Sequence, residues 1–158
     1  MITCQFEHGK VASLRHVTVE GIVTFYSGHE VLMIRRAKHL AEGGKLALPG
    51  GYLERDETIP EGLEREVLEE TGYACKVVSL FRIMHDPIRR GEDKQNVTFV
   101  FIMEVVEKQA NHDDETLETC WLKVDEDLPD EDEFAFAHYE VIQQYRQHLR
   151  QPFRLPIF

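Results

Sequence analysis

One segment of the chain, residues 51–73, limits the possible folds more than any other. Thr58 is a candidate helix N-cap, and Glu61 follows three residues later, as in a capping box. Pro60 falls in the first helical turn, where its missing N–H does little harm. Gly72 stands where a left-handed residue commonly ends a helix. The sequence therefore predicts a helix between Thr58 and Gly72.

The predicted helix carries an acidic face. Glu66, Glu69 and Glu70 are spaced 0, +3 and +4, which places three carboxylates on one side of a helix. Such like charges repel by a few tenths of a kcal/mol per pair, so a positive partner is expected among them. Arg65 is one candidate, and a divalent cation, which prefers oxygen ligands, is a better one. Many glutamate-rich helices are only solvated faces, so the flanking residues decide between these interpretations.

The overall charge restricts the partners. A formal net charge of −11 repels nucleic-acid backbones and anionic lipid, so any phosphate-binding site would need cations. No run of about 18 apolar residues predicts a membrane span, and residues 1–10 do not resemble a signal peptide. Cys4, Cys75 and Cys120 are too scattered for a disulfide framework or a zinc site. A reducing, cytoplasmic setting is therefore expected.

The remaining pattern predicts a mixed α/β chain. Apolar runs predict strands at residues 16–26, 31–34, 76–84, 97–106 and 120–124. Helical spacing returns over 134–150, with an apolar stripe that begins at Phe134. Polar or acidic loops are predicted at 37–45, 85–96, 111–115 and 125–133. Because no repeats or linkers divide residues 1–158, we expect one domain with a sheet covered by helices.

The segment 51–73 resembles the Nudix box, G-x5-E-x7-R-E-U-x-E-E-x-G-U, in which U is a bulky apolar residue. Its specified positions are occupied by Gly51, Glu57, Arg65, Glu66, Val67, Glu69, Glu70, Gly72 and Tyr73, the last being a looser fit. The resemblance extends to Leu48-Pro49-Gly50 and over residues 16–150, and it leaves 1–14 and 151–158 outside. It implies the Nudix fold, a mixed β-sheet sandwiched between α-helices (α/β/α).

The resemblance also implies a chemistry. Members of this family attack a diphosphate phosphorus with water, assisted by magnesium or manganese ions. By analogy the metal ligands are Gly50 through its carbonyl, Glu66, Glu69 and Glu70. Glu66 is either a ligand or the base that orients water. Glu57 and Arg65 resemble a supporting pair that fixes the loop against the helix.

Further candidates lie outside the box. Glu115, six residues before Trp121, resembles the additional carboxylate that a later loop often supplies as ligand or base. Glu118 is an alternative candidate. A third interpretation is that this acidic loop is only a solvated surface. Arg35, Arg36 and Arg89 are candidate substrate contacts through bidentate hydrogen bonds to phosphate. Neighbouring strand residues point to opposite faces, so only one of Arg35 and Arg36 is expected to face the site.

The substrate is less constrained. Asp86-Pro87, a basic loop and the strand at 97–101 resemble the ADP-ribose pyrophosphatase branch, which favours ADP-ribose or a similar nucleoside diphosphate derivative. Nucleoside triphosphate pyrophosphohydrolysis and a nucleotide-binding sensor on the same scaffold are the alternatives. A homodimer is common in the family. One departure from the usual pattern is Gly62 inside the helix, which costs about 1 kcal/mol of helix propensity and suggests close packing against the sheet.

Overall fold

The computed structural model describes residues 2–25, 27–87 and 96–158. Its helices are α1 (Ile59–Thr71) and α2 (His138–Arg150). Its strands are β1 (Ile2–Gln5), β2 (Val11–Leu14), β3 (His16–Thr24), β4 (Glu30–Arg36), β5 (Leu46–Ala47), β6 (Gly50–Tyr52), β7 (Tyr73–Met84), β8 (Asn96–Lys108) and β9 (Thr116–Lys123). No helix in these ranges is long and apolar enough to cross a membrane.

Strand β3 organises the main sheet, in which seven of the described strands take part. It pairs in parallel with β8 along its whole length, from His16 opposite Asn96 to Thr24 opposite Glu104. On its other side it pairs antiparallel with β6 near its start and with β4 at its end. Strand β7 lies antiparallel to β8, while β5 and β9 lie antiparallel to β4. The sheet is therefore mixed, as predicted.

Two apolar cores lie on opposite faces of this sheet. Alternation along β3 directs Val19 and Val23 to the α1 face, where they pack with Leu63 and Val67. Ile22 points to the other face and belongs to the core beneath α2, which includes Val31, Met33, Phe81, Val141, Ile142 and Tyr145. One helix covers each face, which confirms the predicted α/β/α arrangement.

Helix α1 has the predicted ends. The Glu61 carboxylate accepts hydrogen bonds from the Thr58 backbone N–H at 2.8 Å and from its hydroxyl at 2.6 Å, satisfying groups at the helix start. Gly72 takes the left-handed conformation (φ 74°), and its N–H donates to the Leu68 carbonyl at 2.8 Å. Local sequence signals therefore fix where this helix begins and ends.

The prediction that the last helix begins at Phe134 was wrong. Phe134 is extended, both Phe134 and Ala135 are buried, and the Ala135 N–H donates to the Leu46 carbonyl at 2.8 Å. Phe136 follows with φ 52°, which a right-handed helix does not accommodate. The apolar stripe thus includes Phe134, which pairs with Leu46 at the sheet, and a helix that starts at His138. Apolar spacing alone cannot distinguish these two parts.

The two ends of the chain, outside the family resemblance, also have structure. Strands β1 and β2 form a separate two-stranded hairpin. At the other end, the Ile157 N–H donates to the Phe81 carbonyl at 2.9 Å, and the Ile83 N–H donates to the Ile157 carbonyl at 2.9 Å. Phe153 and Leu155 pack against the α2-side core. Residues 151–158 therefore cover the outer edge of β7.

Candidate active site

A cleft of about 250 Å³ opens beside β3, between α1, the turn at residues 48–51 and the start of α2. Its acidic side is lined by Gly50, Gly51, Glu66, Glu70 and Glu115. Its lining also includes Arg36 and Phe136. The cleft thus joins groups that are up to 120 positions apart in sequence, between Thr18 and His138.

The turn beside the cleft requires glycine twice. Gly50 has φ 148°, and a Cβ there would lie 2.1 Å from the Val19 carbonyl oxygen. A Cβ on Gly51 would lie 2.6 Å from the Glu66 carboxyl carbon. Both distances are far below van der Waals contact, so a side chain at either position would displace the turn or the carboxylate. The two glycines therefore let the turn lie against β3 and admit Glu66.

Glu70 is buried at the floor of the cleft, with 4% of its surface exposed. Its Oε2 accepts the Gly50 N–H at 2.7 Å. Burial, the largest cause, and the nearby Glu66 and Asp113 charges together raise the pKa of this carboxyl to about 8, against the lowering effects of the Gly50 N–H and Arg36. A buried carboxyl of this kind gains from a positive partner when it ionises.

This pKa predicts a pH dependence for the metal-free protein. The folded-state pKa of Glu70, about 8, exceeds the ordinary value of 4.5, so folding favours the protonated form. Stability from this group is complete below about 4.5 and is lost as pH rises towards 8. At about 1.4 kcal/mol per pKa unit, the loss amounts to roughly 2–5 kcal/mol.

Thermal unfolding in EDTA from pH 5 to pH 9 measures this loss, with Glu70→Gln as the reference. The Tm of the parent protein should fall relative to that of the variant as pH rises. Parallel pH profiles for the two proteins would contradict the prediction.

Arg65 connects three carboxylates at the rim. Its Nε and Nη2 donate to the two Glu57 oxygens at 3.0 and 2.8 Å, and its Nη1 donates to Glu66 Oε1 and Glu69 Oε2, both at 3.0 Å. The bonds from Arg65 lower the pKa of Glu57, and the same contacts raise the pKa of Arg65. Glu57 also accepts the Glu54 N–H at 2.8 Å. Arg65 thereby ties the loop before α1 to the acidic face of the helix.

Gly62 makes room for this loop rather than for the sheet. A Cβ at this position would lie 2.6 Å from Glu57 Oε1 and 2.8 Å from Leu53 Cδ1. The expectation of close packing against the sheet was wrong, because the neighbours belong to the loop before α1. A glycine that weakens the helix thus gives space to the carboxylate that holds Arg65.

Gly62→Ala should therefore separate stability from activity. The gain in helix propensity, about 1 kcal/mol, offsets part of the strain of moving Glu57, so the Tm should change by only a few degrees. Turnover should fall about tenfold, the effect expected when an outer contact of a ligand set is disturbed. Steady-state kinetics of this variant beside Glu57→Gln, which weakens the same contact directly, test the idea. Full activity in Gly62→Ala would refute it.

The three glutamates of the helix face are not equivalent in the structure. Glu66 and Glu70 line the cleft, whereas the Glu69 side chain is 53% exposed and lies at the rim with Arg65. Burial raises the pKa of Glu66, and Arg65 opposes this shift. Among the described residues, no three carboxylate, imidazole or thiol groups stand close enough to share one ion as placed.

Glu115 joins the cleft from the loop before β9. Its backbone carbonyl accepts the Ala37 N–H at 2.8 Å, and its N–H donates to Asp113 Oδ1 at 3.0 Å. The Asp113 N–H in turn donates to the Glu69 carbonyl at 2.9 Å, which fixes the loop to α1. Glu118 lies elsewhere: it is exposed and pairs with Arg35 at 2.7 Å. Of the two loop candidates, the structure brings only Glu115 to the cleft.

The candidate arginines separate in the same way. Arg36 lines the cleft, with its guanidinium carbon 5.1 Å from the centre of the Phe136 ring and its Nε donating to the Ala41 carbonyl at 2.9 Å. Arg35 donates to the Gly44 carbonyl at 2.9 Å and pairs with Glu118 instead. Arg89 falls outside the described residues.

Sequence reasoning missed several residues of the cleft wall, among them Glu20, Phe136 and His138. Glu20 interrupts the apolar run of β3, and an acidic residue inside a buried strand is a signal that could have identified it. His138 begins α2 and is 3% exposed. No short motif marks either residue, because they meet only through the pairing of distant elements.

The fold is an α/β/α sandwich with an acidic cleft beside β3, and known proteins share the fold. The NUDIX domain family model matches residues 14–145. ADP-ribose pyrophosphatase from Methanocaldococcus jannaschii is 34% identical over 131 residues, covering 82% of this chain and 72% of that protein. The chain belongs to the Nudix hydrolase family, as the resemblance of residues 51–73 predicts.

Other relatives extend the comparison. The 8-oxo-dGDP phosphatase NUDT18 from Danio rerio is 35% identical over 115 residues, covering 70% of this chain but 33% of that protein. A crystal structure of a NUDIX hydrolase from Nitrosomonas europaea has a TM-score of 0.78 at 24% identity, covering 96% of this chain and 84% of that one. The crystal structure of an ADP-ribose pyrophosphatase from Streptococcus suis has a TM-score of 0.69 at 15% identity, covering 91% and 98% of the two chains. The likeness to these structures concerns the fold.

Proposed function

We propose that the chain hydrolyses the diphosphate linkage of a nucleoside diphosphate derivative, with ADP-ribose as the preferred type, using bound Mg²⁺ or Mn²⁺. The observation that carries this proposal is the convergence of Gly50, Glu66, Glu70 and Glu115 on one cleft that also contains Arg36. Carboxylates and a carbonyl suit a hard divalent cation, and a guanidinium suits a phosphate.

The donor groups fit such an ion. All are oxygens, and the missing side chain at Gly51 leaves the Glu66 carboxylate free to stand against the turn. The buried Glu70, whose pKa is raised in the absence of a cation, gains most from one. The Gly50 carbonyl, Glu66 and Glu70 would hold the ion, with Glu69 reaching in from the rim. When bound, divalent ions offset the phosphate charge and lower the pKa of a coordinated water.

The reaction adds the oxygen of water to one phosphorus and breaks the bridging P–O bond, giving two phosphate monoesters from a disubstituted diphosphate. Arg36 stabilises the negative charge that increases on the phosphate oxygens. Glu115 receives the proton of the attacking water, because its side chain lines the cleft while Glu66 is among the groups that would hold the ion. Arg65 and Glu57 keep the carboxylates of α1 in place.

The preference for an ADP-ribose-like substrate draws on the Methanocaldococcus jannaschii relative and on the aromatic residues of the cleft, Tyr52 and Phe136. A second candidate substrate class, oxidised or ordinary nucleoside di- and triphosphates, draws on the NUDT18 relatives. Both classes present a diphosphate to the same groups. They differ in the group that is attached to the second phosphorus.

A comparison of kcat/KM for ADP-ribose, 8-oxo-dGDP and a deoxynucleoside triphosphate, each with Mg²⁺ and with EDTA, tests the proposal. We expect turnover only with the metal and the highest kcat/KM for ADP-ribose. A higher value for a nucleoside phosphate would select the second class. Binding without turnover of any of the three would indicate a sensor and overturn the proposed hydrolysis.

The cellular setting and the assembly state are parts of the same proposal. The three cysteines are free thiols, and Cys75 is buried, which accords with a reducing compartment such as the cytoplasm. Homodimer formation stays a prediction that sedimentation of the purified chain would test.

A further inference from the structure

Two polar residues of the cleft wall lie outside the proposed ligand set. Glu20 belongs to β3, and His138 is the first residue of α2. His138 Nδ1 accepts the Leu48 backbone N–H at 3.1 Å, and its Nε2 lies 3.2 Å from Glu20 Oε1. Because Nδ1 acts as the acceptor, the neutral ring carries its hydrogen on Nε2, towards Glu20.

The contact between these two side chains is electrostatic. Within the described ranges, neither Nε2 of His138 nor Oε2 of Glu20 has an aligned hydrogen-bond partner, although both atoms are buried. The side chain of His138 is 4% exposed and that of Glu20 is 14% exposed. His138 is 3% exposed and its Nδ1 accepts a backbone N–H, so the ring acts on the protein around it.

That surrounding protein is the turn at residues 48–50. Each residue of the turn is held by a different element of the fold. The contacts are the Leu48 N–H to His138 Nδ1 at 3.1 Å, the Pro49 carbonyl from the Gly21 N–H at 2.9 Å, and the Gly50 N–H to Glu70 Oε2 at 2.7 Å. Helix α2, strand β3 and helix α1 therefore each contribute one contact, and His138 is the contribution of α2.

We propose that His138, oriented by Glu20, is a positioning residue for the cation site, although it does not touch the ion. Its Nδ1 fixes the turn that carries the Gly50 carbonyl, and this sets the place of that oxygen relative to Glu70. The inference rests on the proposed function, because it assumes a divalent cation at Gly50. Groups that orient a ligand in this way commonly change metal affinity by about 10- to 100-fold when they are removed.

Two polar substitutions separate the two contacts of the ring. In His138→Asn, the side-chain carbonyl takes the place of Nδ1 and keeps an acceptor for Leu48, while the contact with Glu20 is lost. In His138→Gln, the longer amide reaches towards Glu20 and leaves the Leu48 N–H without its acceptor. We expect the Kd for Mn²⁺, measured by electron paramagnetic resonance of the free ion, to rise less than about threefold for Asn and about tenfold or more for Gln.

A control two turns further along the same helix excludes general loosening of α2. Tyr145→Phe removes the hydrogen bond from the Tyr145 hydroxyl to the Gly28 carbonyl, at 2.9 Å. It should lower the Tm and leave the Kd for Mn²⁺ unchanged. Equal Kd values for the Asn and Gln variants, or a rise in Tyr145→Phe that matches the rise in the Gln variant, would overturn the positioning role.

A measurement on the unaltered protein keeps the test decisive if the Gln variant does not fold. Nitrogen-15 NMR of His138 should show the tautomer protonated at Nε2. A ring protonated at Nδ1 cannot accept the Leu48 N–H and would also overturn the inference.

The outcome for the proposed function can be read separately, since Mn²⁺ binding needs no substrate. A chain that binds Mn²⁺ but hydrolyses no diphosphate defeats the proposed hydrolysis and leaves the role of His138 standing. Absence of Mn²⁺ binding by the unaltered chain defeats both.

Discussion

Replacing Glu70 by Gln is expected to lower kcat by about a thousandfold while the fold stays intact. The amide oxygen of Gln can still accept the Gly50 N–H, which Glu70 Oε2 now accepts at 2.7 Å. What disappears is the charge of a buried group that we propose as a cation ligand. A thousandfold loss corresponds to about 4 kcal/mol of transition-state stabilisation, within the several kcal/mol that a bound metal supplies.

The matched control is Glu64→Gln on the same helix. Glu64 pairs with Lys76 at 2.6 Å and does not line the cleft, so its loss should change kcat less than twofold. Single-turnover kinetics at saturating Mg²⁺ and thermal unfolding of both variants provide the comparison. If Glu70→Gln lost stability and activity in proportion, Glu70 would be a structural residue rather than a ligand.

The second large effect is expected at Glu115. Glu115→Gln should lower kcat by about a hundredfold or more, because a positioned general base contributes about 10²- to 10⁴-fold. Glu118→Gln offers the matched control, since Glu118 lies three residues further on and pairs with Arg35 away from the cleft. Its kcat should stay near that of the parent protein. The acidic limb of the pH–rate profile should also change in Glu115→Gln if this carboxylate takes the proton.

A different order of kcat values among these variants would change the assignment of the general base. Should Glu115→Gln and Glu118→Gln be equally active, the loop would supply no base, and Glu66 would become the candidate. A large loss of Mn²⁺ affinity in Glu115→Gln, with normal turnover at saturating metal, would make Glu115 a ligand instead. The two measurements together therefore distinguish the two roles that the family resemblance leaves open.

The parts of the fold that local chemistry determines could be predicted from the sequence. Both ends of α1 follow from side chains within a few residues, namely the Glu61 carboxylate at the start and the left-handed Gly72 at the end. Apolar patterning predicted a sheet covered by helices, and the family resemblance implied its three layers; in the structure, alternation along β3 supplies one core on each face. These features require no knowledge of which distant segments meet.

The errors arise where distant segments do meet. Phe134 continues the apolar stripe of α2 in sequence, but it is extended because Leu46 is available as its neighbour. Strand β7 begins at Tyr73 because its pairing with β8 extends to Lys108. The polar residues Glu107 and Lys108 at the end of β8 hide this extension from an analysis of apolar patterning. Neither partner can be identified from local periodicity.

The same distinction between local signals and contacts between distant segments applies to the candidate site. Helical spacing places Glu66 and Glu70 on one face, and the structure brings both to the cleft. That spacing cannot show that Arg65 draws Glu69 to the rim, because the distinction depends on side-chain partners. Glu20 and His138 are separated by 118 positions, and only the packing of α2 over β3 brings them together.

The covering of β7 by residues 151–158 has a practical consequence for handling the protein. Proteolytic trimming before Phe153 would expose the unpaired main-chain groups of Phe81 and Ile83 and uncover apolar surface of the α2-side core. A bare strand edge of this kind is a template for pairing with a second molecule. A shortened chain would thus be prone to precipitate although its candidate cleft is unchanged, so poor yield of such a fragment would reflect the exposed strand edge rather than a damaged cleft.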